Sequence, residues 1–343
     1  MGLVFRRAGR ARGLLAAAAT ATLLATVLLT ALSLYGGQVI DSGTRAAVAA
    51  APPTERTVLV SGSISDRDDV AGLDRSVTRA VGRGLRGGVD AGGGVDPGGG
   101  VGRDGDVVAT DITRAGYAVG QQLPGGMGDA KPGDDGLVLA SVMFLEDLAE
   151  HARLTSGNWP EPGRSGSREP GAGGELTAET VLAAPVAKLL DVEAGDDIPL
   201  TDRRGGTHRT LRVTGIWEPA DPADPYWLLV PELRTGVVAG TATHGPFVVS
   251  RTDFLRHFAT LASLNWLITP DLTDVTAAQL RSVSKDAKDV AKRLDGDVAS
   301  STGIGELAER LGRSAVVARS ALLVPVLLLV VIAGYALLLV AGL

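Results

Sequence analysis

The chain has 343 residues, room for two ordinary domains or for one domain with membrane segments. Its charge is uneven. Residues 1–35 and 319–343 carry five Arg and no acid, while 36–318 hold all 39 acids against 28 bases, a net of −11. An acidic middle without a basic cluster excludes nucleic-acid binding. The absence of Cys excludes disulfides, thiolate metal sites, a Cys nucleophile and a lipid-modified N-terminal Cys.

Leu14 to Tyr35 is a 22-residue run without a charge, about 33 Å as a helix and long enough to cross the hydrocarbon core. Arg6, Arg7, Arg10 and Arg12 before it keep the N-terminus cytoplasmic by the positive-inside rule. It reads as an uncleaved anchor, with 1–13 cytoplasmic and 14–35 as a first transmembrane helix. The alternative is a cleaved signal peptide, whose apolar core runs only about 7–15 residues. Thr22, Thr26, Thr30 and Ser33 share one face of this helix and read as a packing stripe. The other reading has them bonding to their own backbone.

Val58–Ile64 is predicted as a strand after the Pro52-Pro53 break, and 70–81 as a short helix. Gly82 to Gly105 has 12 Gly in 24 residues and reads as a flexible insertion. Its two G-x-G-x-x-G matches neither follow a strand nor open a helix. Strands are then predicted at Val107–Ile112 and Gly136–Ser141, a helix at Phe144–Ala152, and a Pro/Gly loop over 157–174. Thr180–Ala184 reads as a strand and Pro185–Leu190 as a helical turn. Ile198–Leu200 and His208–Trp217 read as a β-pair about Arg204-Gly205-Gly206. Further strands are expected at Trp227–Val230, Phe247–Ser250 and Leu264–Thr269, with a helix at Thr252–Ala262.

From Asp274 the pattern turns helical. Leu280, Val283, Ala287, Val290 and Leu294 form a heptad seam, and after a Gly296–Gly305 break a second helix starts near Glu306. These read either as a stalk over 274–319 or as helices packed on the preceding core. Ser320 to Leu343 is a second uncharged run, of 24 residues with Pro325 near its start, and reads as a second transmembrane helix. The resulting fold class is a membrane protein: two transmembrane helices flank an α+β extracytoplasmic domain at 36–273, followed by the stalk.

No chemistry-bearing constellation emerges. The chain has no Walker A pattern and no G-x-S-x-G elbow. His151, His208, His244 and His257 lack ligand spacing and read as surface or loop residues. Asp66/Asp68/Asp69 and Asp221/Asp224 lack the Gly and distal Glu of a calcium loop. No catalytic residue, metal site or cofactor is expected, the substrate-binding residues stay undefined, and the chain reads as a non-enzyme.

Four segments carry a resemblance: Arg153-Leu154-Thr155-Ser156-Gly157-Asn158-Trp159-Pro160, Pro185–Asp196, Leu211–Trp217 and Asp221–Trp227. Their order, between the two apolar runs, is similar to the extracytoplasmic domain of FtsX-like (MacB-type) ABC transporter permeases. The resemblance implies turn roles for Gly157 and Gly195 and anchoring roles for Trp159 and Trp217. It implies a multi-pass protein of the cell membrane with 36–319 outside, powered by a separately encoded P-loop ATPase and paired with a second permease unit. It further implies mechanical export or extraction of a lipid, lipoprotein, peptide or drug. Family members continue with further membrane helices, so these residues are expected to match the N-terminal part of a permease. The other function classes open to such a chain are a two-helix sensor or accessory protein with a ligand-binding outer domain, and a membrane-tethered enzyme, which requires a polar catalytic cluster in the outer domain that the sequence does not display.

Overall fold

The computed structural model describes residues 20, 23, 26–28, 30–31, 34–84, 110–163, 176–238, 240–294 and 298–341. Every described residue from 20 to 50 is helical, and 34–50 is termed α1. The remaining elements are β1 (Val58–Ile64), α2 (Arg67–Gly84), β2 (Thr110–Leu123), β3 (Val138–Leu145), α3 (Leu148–His151), β4 (Ala152–Gly157), β5 (Leu176–Ala183), α4 (Ala184–Leu190), β6 (Asp197–Asp202), β7 (His208–Pro219), β8 (Thr243–Val249), α5 (Arg251–His257), β9 (Ala262–Pro270), α6 (Ala277–Asp289), β10 (Val298–Thr302) and α7 (Ile304–Ala341).

Among the described residues these strands form one sheet in the order β10-β1-β9-β2-β3-β8-β5-β7-β4, with β6 bridging β2 and β7. Two halves can be recognised within it. The first, β10-β1-β9-β2, is antiparallel throughout. In β1, alternation brings Val58, Val60, Gly62 and Ile64 to the buried face. α2 lies on it through Val70, Val77, Ala80 and Val81, the 3.6-residue stripe of an amphipathic helix. A Cβ on Gly62 would come within 2.9 Å of Leu73, so the missing side chain sets how closely α2 approaches.

The second half closes on itself: β2-β3-β8-β5-β7-β6 and back to β2, through Gln121↔Asp202 and Gln122↔Thr201. Ile198 and Leu200 of β6, Leu211 and Val213 of β7 and Leu123 of β2 are buried, while Asp197, Pro199 and Arg212 between them are exposed, as in a small barrel filled by side chains. β2 belongs to both halves. Its residues 110–117 pair with β9, a register shift follows between Ala118 and Gln121 with Gly120 at φ +93°, and 121–122 then pair with β6. A bulge with a left-handed glycine is the ordinary way to bend a strand from one surface onto another.

The heptad seam is confirmed as a buried face, since Leu280, Val283, Ala287, Val290 and Leu294 are all buried. Its destination differs from the stalk reading. α6 opens with a Thr276/Gln279 capping box, ends at Asp289, and packs on α7 and the sheet. The expected break at 296–305 contains β10, an edge strand on β1. The seam of α6 therefore closes the domain core, and of the expected stalk only α7 leaves the domain. Other expectations shift for local reasons. Phe144 and Leu145 extend β3, which leaves α3 a single turn. Trp227–Val230 falls mostly in a 3-10 turn, Pro225–Leu229, whose start Asp224 caps by accepting from the Tyr226 N–H. β4 has no signature in the sequence, because its exposed Arg153, Thr155 and Ser156 hide the alternation.

The Gly-rich segment from 85 to 105, the start of the Val107–Ile112 strand, 164–174 of the Pro/Gly loop, and Thr22 and Ser33 lie outside the described residues. Of the stripe, Thr30 donates to the Thr26 carbonyl at 2.8 Å, the backbone-bonded alternative. Among the described residues no helix is long and apolar enough to cross a membrane, and both expected spans include residues outside that set.

Asp74 of α2 ties the helix to the sheet. It accepts from Arg114 Nε of β2 and from Trp266 Nε1 of β9 at 2.9 Å. Arg114 also meets Glu146 at 3.3 Å. Burial raises the Asp74 carboxyl, but the Arg114 and Trp266 hydrogen bonds and the Arg114 charge outweigh it and hold it below the ordinary carboxylate range. A depressed carboxyl contributes stability above its unfolded pKa and loses it as pH falls through the folded one. Asp74→Ala is expected to cost about 2 kcal/mol at pH 7. In paired denaturant melts that difference shrinks as pH drops below about 4.

Candidate functional site

The four resemblance segments meet on one strand, β7. Residues 152–157 pair with 215–219, and the Asn158 N–H donates to the Thr214 carbonyl at 2.8 Å. Gly195, at φ +110°, donates its N–H to the Val213 carbonyl at 2.7 Å. Trp217 is buried and stacks on Trp227 with ring centroids 5.4 Å apart, while Trp227 Nε1 donates to the Asp221 carbonyl at 2.8 Å. Trp159 is half-buried against the core. The turn and anchor roles expected for these residues match this geometry. Gly157 has the strictest requirement: its φ is +74°, and a Cβ would lie 2.0 Å from the Thr214 carbonyl oxygen.

His208 is exposed, as expected, while the other three histidines are more embedded than surface or loop residues. His151 Nδ1 lies 2.7 Å from Asp224 Oδ2, and its ring stacks on Tyr226 at 3.9 Å between centroids. Tyr226 in turn donates to the Glu146 carbonyl at 2.7 Å. His244 is buried in β8, where burial holds its imidazole below the ordinary range despite a 3.4 Å contact with the Lys131 carbonyl. Burial also lowers His257, with Arg209 adding to the effect. His208 lies 3.0 Å from Thr201 Oγ1. The four are dispersed, and among the described residues no three His, Asp or Glu are grouped to hold a metal ion.

One polar cluster had no signature in the sequence. Glu232 is 2% exposed, its Oε1 lies 3.5 Å from Ser141 Oγ, and its Oε2 has no hydrogen-bond partner. Burial pushes its carboxyl above the ordinary range, opposed by hydrogen bonds from its own backbone and from Ser141. Burial, followed by the Glu232 charge, pushes the nearby Tyr117 hydroxyl up to about 12. The Pro231-Glu232-Leu233 context carries no acidic motif that would mark this position.

Among the described residues, two clefts of several hundred Å3 open on the surface. A cleft of about 790 Å3 lies between 129–135 and 235–244, over Leu139, Leu189 and His244. A cleft of about 670 Å3 sits where α1 meets the domain, lined by Arg45 and Val48 of α1, by Arg56 and Thr57, and by Asp111, Pro225 and 269–273. Beside it the ends of the chain are fastened together. Val58 pairs with Thr302 at the end of the β1–β10 ladder. Thr302 Oγ1 donates to the Thr57 carbonyl at 2.8 Å, the Gly303 N–H to the Thr54 carbonyl at 3.0 Å, and Arg310 of α7 grips Glu55. A Cβ on Gly303 would stand 2.9 Å from the Thr54 oxygen. Beyond this junction both helices expose apolar side chains: Leu23, Val27, Leu28, Leu34, Tyr35 and Val39 on one, Val316, Val317, Val324, Leu327, Val331 and Tyr335 on the other.

No protein family matches the chain, and no curated protein sequence matches it. Among solved structures, it is similar to the extracellular domain of the noncanonic ABC-type transporter YknZ from Gram-positive bacteria. That similarity has 8% identity over 71% of this chain and 98% of the other, with a TM-score of 0.32.

Two substitutions check this geometry. Gly157→Ala forces a side chain into both a left-handed backbone and a carbonyl, and is expected to cost at least about 2 kcal/mol. Glu232→Gln should act in the opposite direction. A carboxyl raised by folding weakens the fold as pH rises through its folded pKa and costs nothing below its unfolded one. The variant should therefore be more stable by about 1–2 kcal/mol at pH 8, with the gain vanishing near pH 4, as measured by thermal unfolding across that range.

Proposed function

We propose that this chain supplies an outer domain and two flanking membrane helices of an ABC-type permease. In this reading a separate P-loop ATPase drives the helices from the cytoplasmic side, and the domain converts their movement into work on a lipid, lipoprotein, peptide or drug. The observation that carries the reading is the β1–β10 pairing. It puts the point where the chain enters the domain against the point where it leaves, so α1 and α7 join the domain at one end. Their outward stretches continue into sequence runs of 22 and 24 uncharged residues, and the apolar side chains they expose have no partner within the domain.

The domain is built to pass motion rather than to catalyse. α7 is one helix from Ile304 to Ala341, with Ile304, Leu307 and Ala308 buried against the core. A displacement of its outer part is thereby delivered to α6, and to β10 through α6 and the short link from Thr302 to Ile304. Through β1, β9 and the shared strand β2 it reaches the closed ring. The packed interior transmits such displacements because it is dense and compresses little.

The test uses the chain's lack of cysteine. Single-cysteine variants Arg204→Cys, in the β6–β7 turn, and Ala8→Cys are expressed in full-length form in membranes. A membrane-impermeant maleimide should label R204C in intact cells and A8C only after permeabilisation. Affinity purification of the full chain should retain a P-loop ATPase, and ATP should change the labelling rate of R204C. Inverse labelling overturns the membrane arrangement; loss of the ATPase or of the ATP response overturns the transporter reading.

A further inference from the structure

The cleft between α1 and the domain carries charge that the protein compensates only in part. Arg56 Nε is buried without a hydrogen-bond partner, and a guanidinium donor shut away from water and unbonded costs free energy unless something accepts from it. Arg45, one helical turn before Val48, donates from Nε to the Asp41 carbonyl of its own helix at 3.4 Å, and its Nη1 lies 4.0 Å from Asp274, a weak pair because the aspartate is 93% exposed. The same cleft contains Asp111 and Asp271. Hydrogen bonds from the Thr273 hydroxyl and N–H hold Asp271 below the ordinary carboxylate range, so it stays charged at neutral pH.

Two guanidiniums and two carboxylates around one space of about 670 Å3 do not suit a simple anion, which would leave the carboxylates uncompensated. They suit a molecule that bears both signs. Arginine's planar fork matches phosphate oxygens, and carboxylates accept from an ammonium. The position adds a second constraint. Leu34, exposed and eleven residues before Arg45, falls on the same side of α1 three turns further out, about 16 Å along the axis. An apolar tail leaving the cleft along that side would run towards the stretch read as membrane-embedded.

We infer that this cleft holds the head group of a zwitterionic phospholipid, its phosphate on Arg45 and Arg56 and its primary ammonium on Asp111 and Asp271. The inference rests on the membrane reading of α1. It assigns a lipid resident at the foot of the domain rather than the transported substrate.

The experiment follows thermal unfolding of the detergent-solubilised full chain against added dihexanoyl-phosphatidylethanolamine, dihexanoyl-phosphatidylglycerol and soluble glycerophosphoethanolamine. Saturable stabilisation by the first is expected, with apparent affinity about tenfold or more above the other two. Arg45→Gln, at a half-exposed site on α1 that disturbs no core packing, should remove most of that preference, and Arg56→Gln the same if it folds. Asp111→Asn should narrow the margin over phosphatidylglycerol while leaving binding of the phosphate. Equal response to both lipids, equal affinity for the soluble head group, or an undiminished preference in Arg45→Gln overturns the inference. The labelling of R204C and A8C reports separately on membrane insertion. A correctly inserted chain without lipid preference therefore sinks this inference alone.

Discussion

The antiparallel ladder between β1 and β10 is the contact on which the rest of the arrangement depends. Its strands are 234 residues apart in sequence, from Ile64 to Val298, so their five residue pairs close a very long loop of the chain. Closing so long a loop is entropically unfavourable, and the cost is offset by burying Val58, Val60 and Ile64 on the face of the sheet that α2 covers. Once it is closed, the ends of the chain have one place to leave the domain. Both α1 and α7 start from that place.

A second constraint lies within β2. A single strand supplies an edge to the open sheet and another to the closed ring, with the bulge at Ala118–Gln121 turning it between them. The halves are therefore joined by continuous backbone and hydrogen bonds as well as by side-chain packing. Phe144 and Phe254 meet edge-on 5.1 Å apart beside Gly116, where a Cβ would stand 2.3 Å from the Phe144 ring. The glycine lets two aromatic rings fill the space where the halves join.

Much of this was legible in the residues. β1 was bounded correctly, and the pairing of β6 with β7 followed from a glycine turn between alternating segments. The seam of α6 was visible as a period. What it packed against was not, because a heptad is equally satisfied by a neighbouring helix, a sheet or both. β10 was hidden because Val298-Ala299-Ser300-Ser301-Thr302 is small and polar, an edge strand held by backbone pairing rather than by buried side chains. Closure of the ring could not be read at all, since the Gln121↔Asp202 pairing joins residues 81 positions apart without a local signal. The same holds for the two clefts. Arg45, Arg56, Asp111 and Asp271 come from four separated segments, and no spacing rule connects them.

The junction at the foot of the domain also has a mechanical side. Because α1 and α7 depart from the same end of one ladder, a force that spreads them apart acts on that ladder as on an open zipper. It loads the Val58–Thr302 pair first and the others only in succession, whereas strands pulled from opposite ends would share the load. The bonds from Thr302 to Thr57, from Gly303 to Thr54 and from Arg310 to Glu55 sit at the fork of that zipper. Motions that carry the two helices together pass through the fork without loading it. Motions that separate them meet their resistance there and at the adjoining Val58–Thr302 pair, before the inner pairs of the ladder are disturbed.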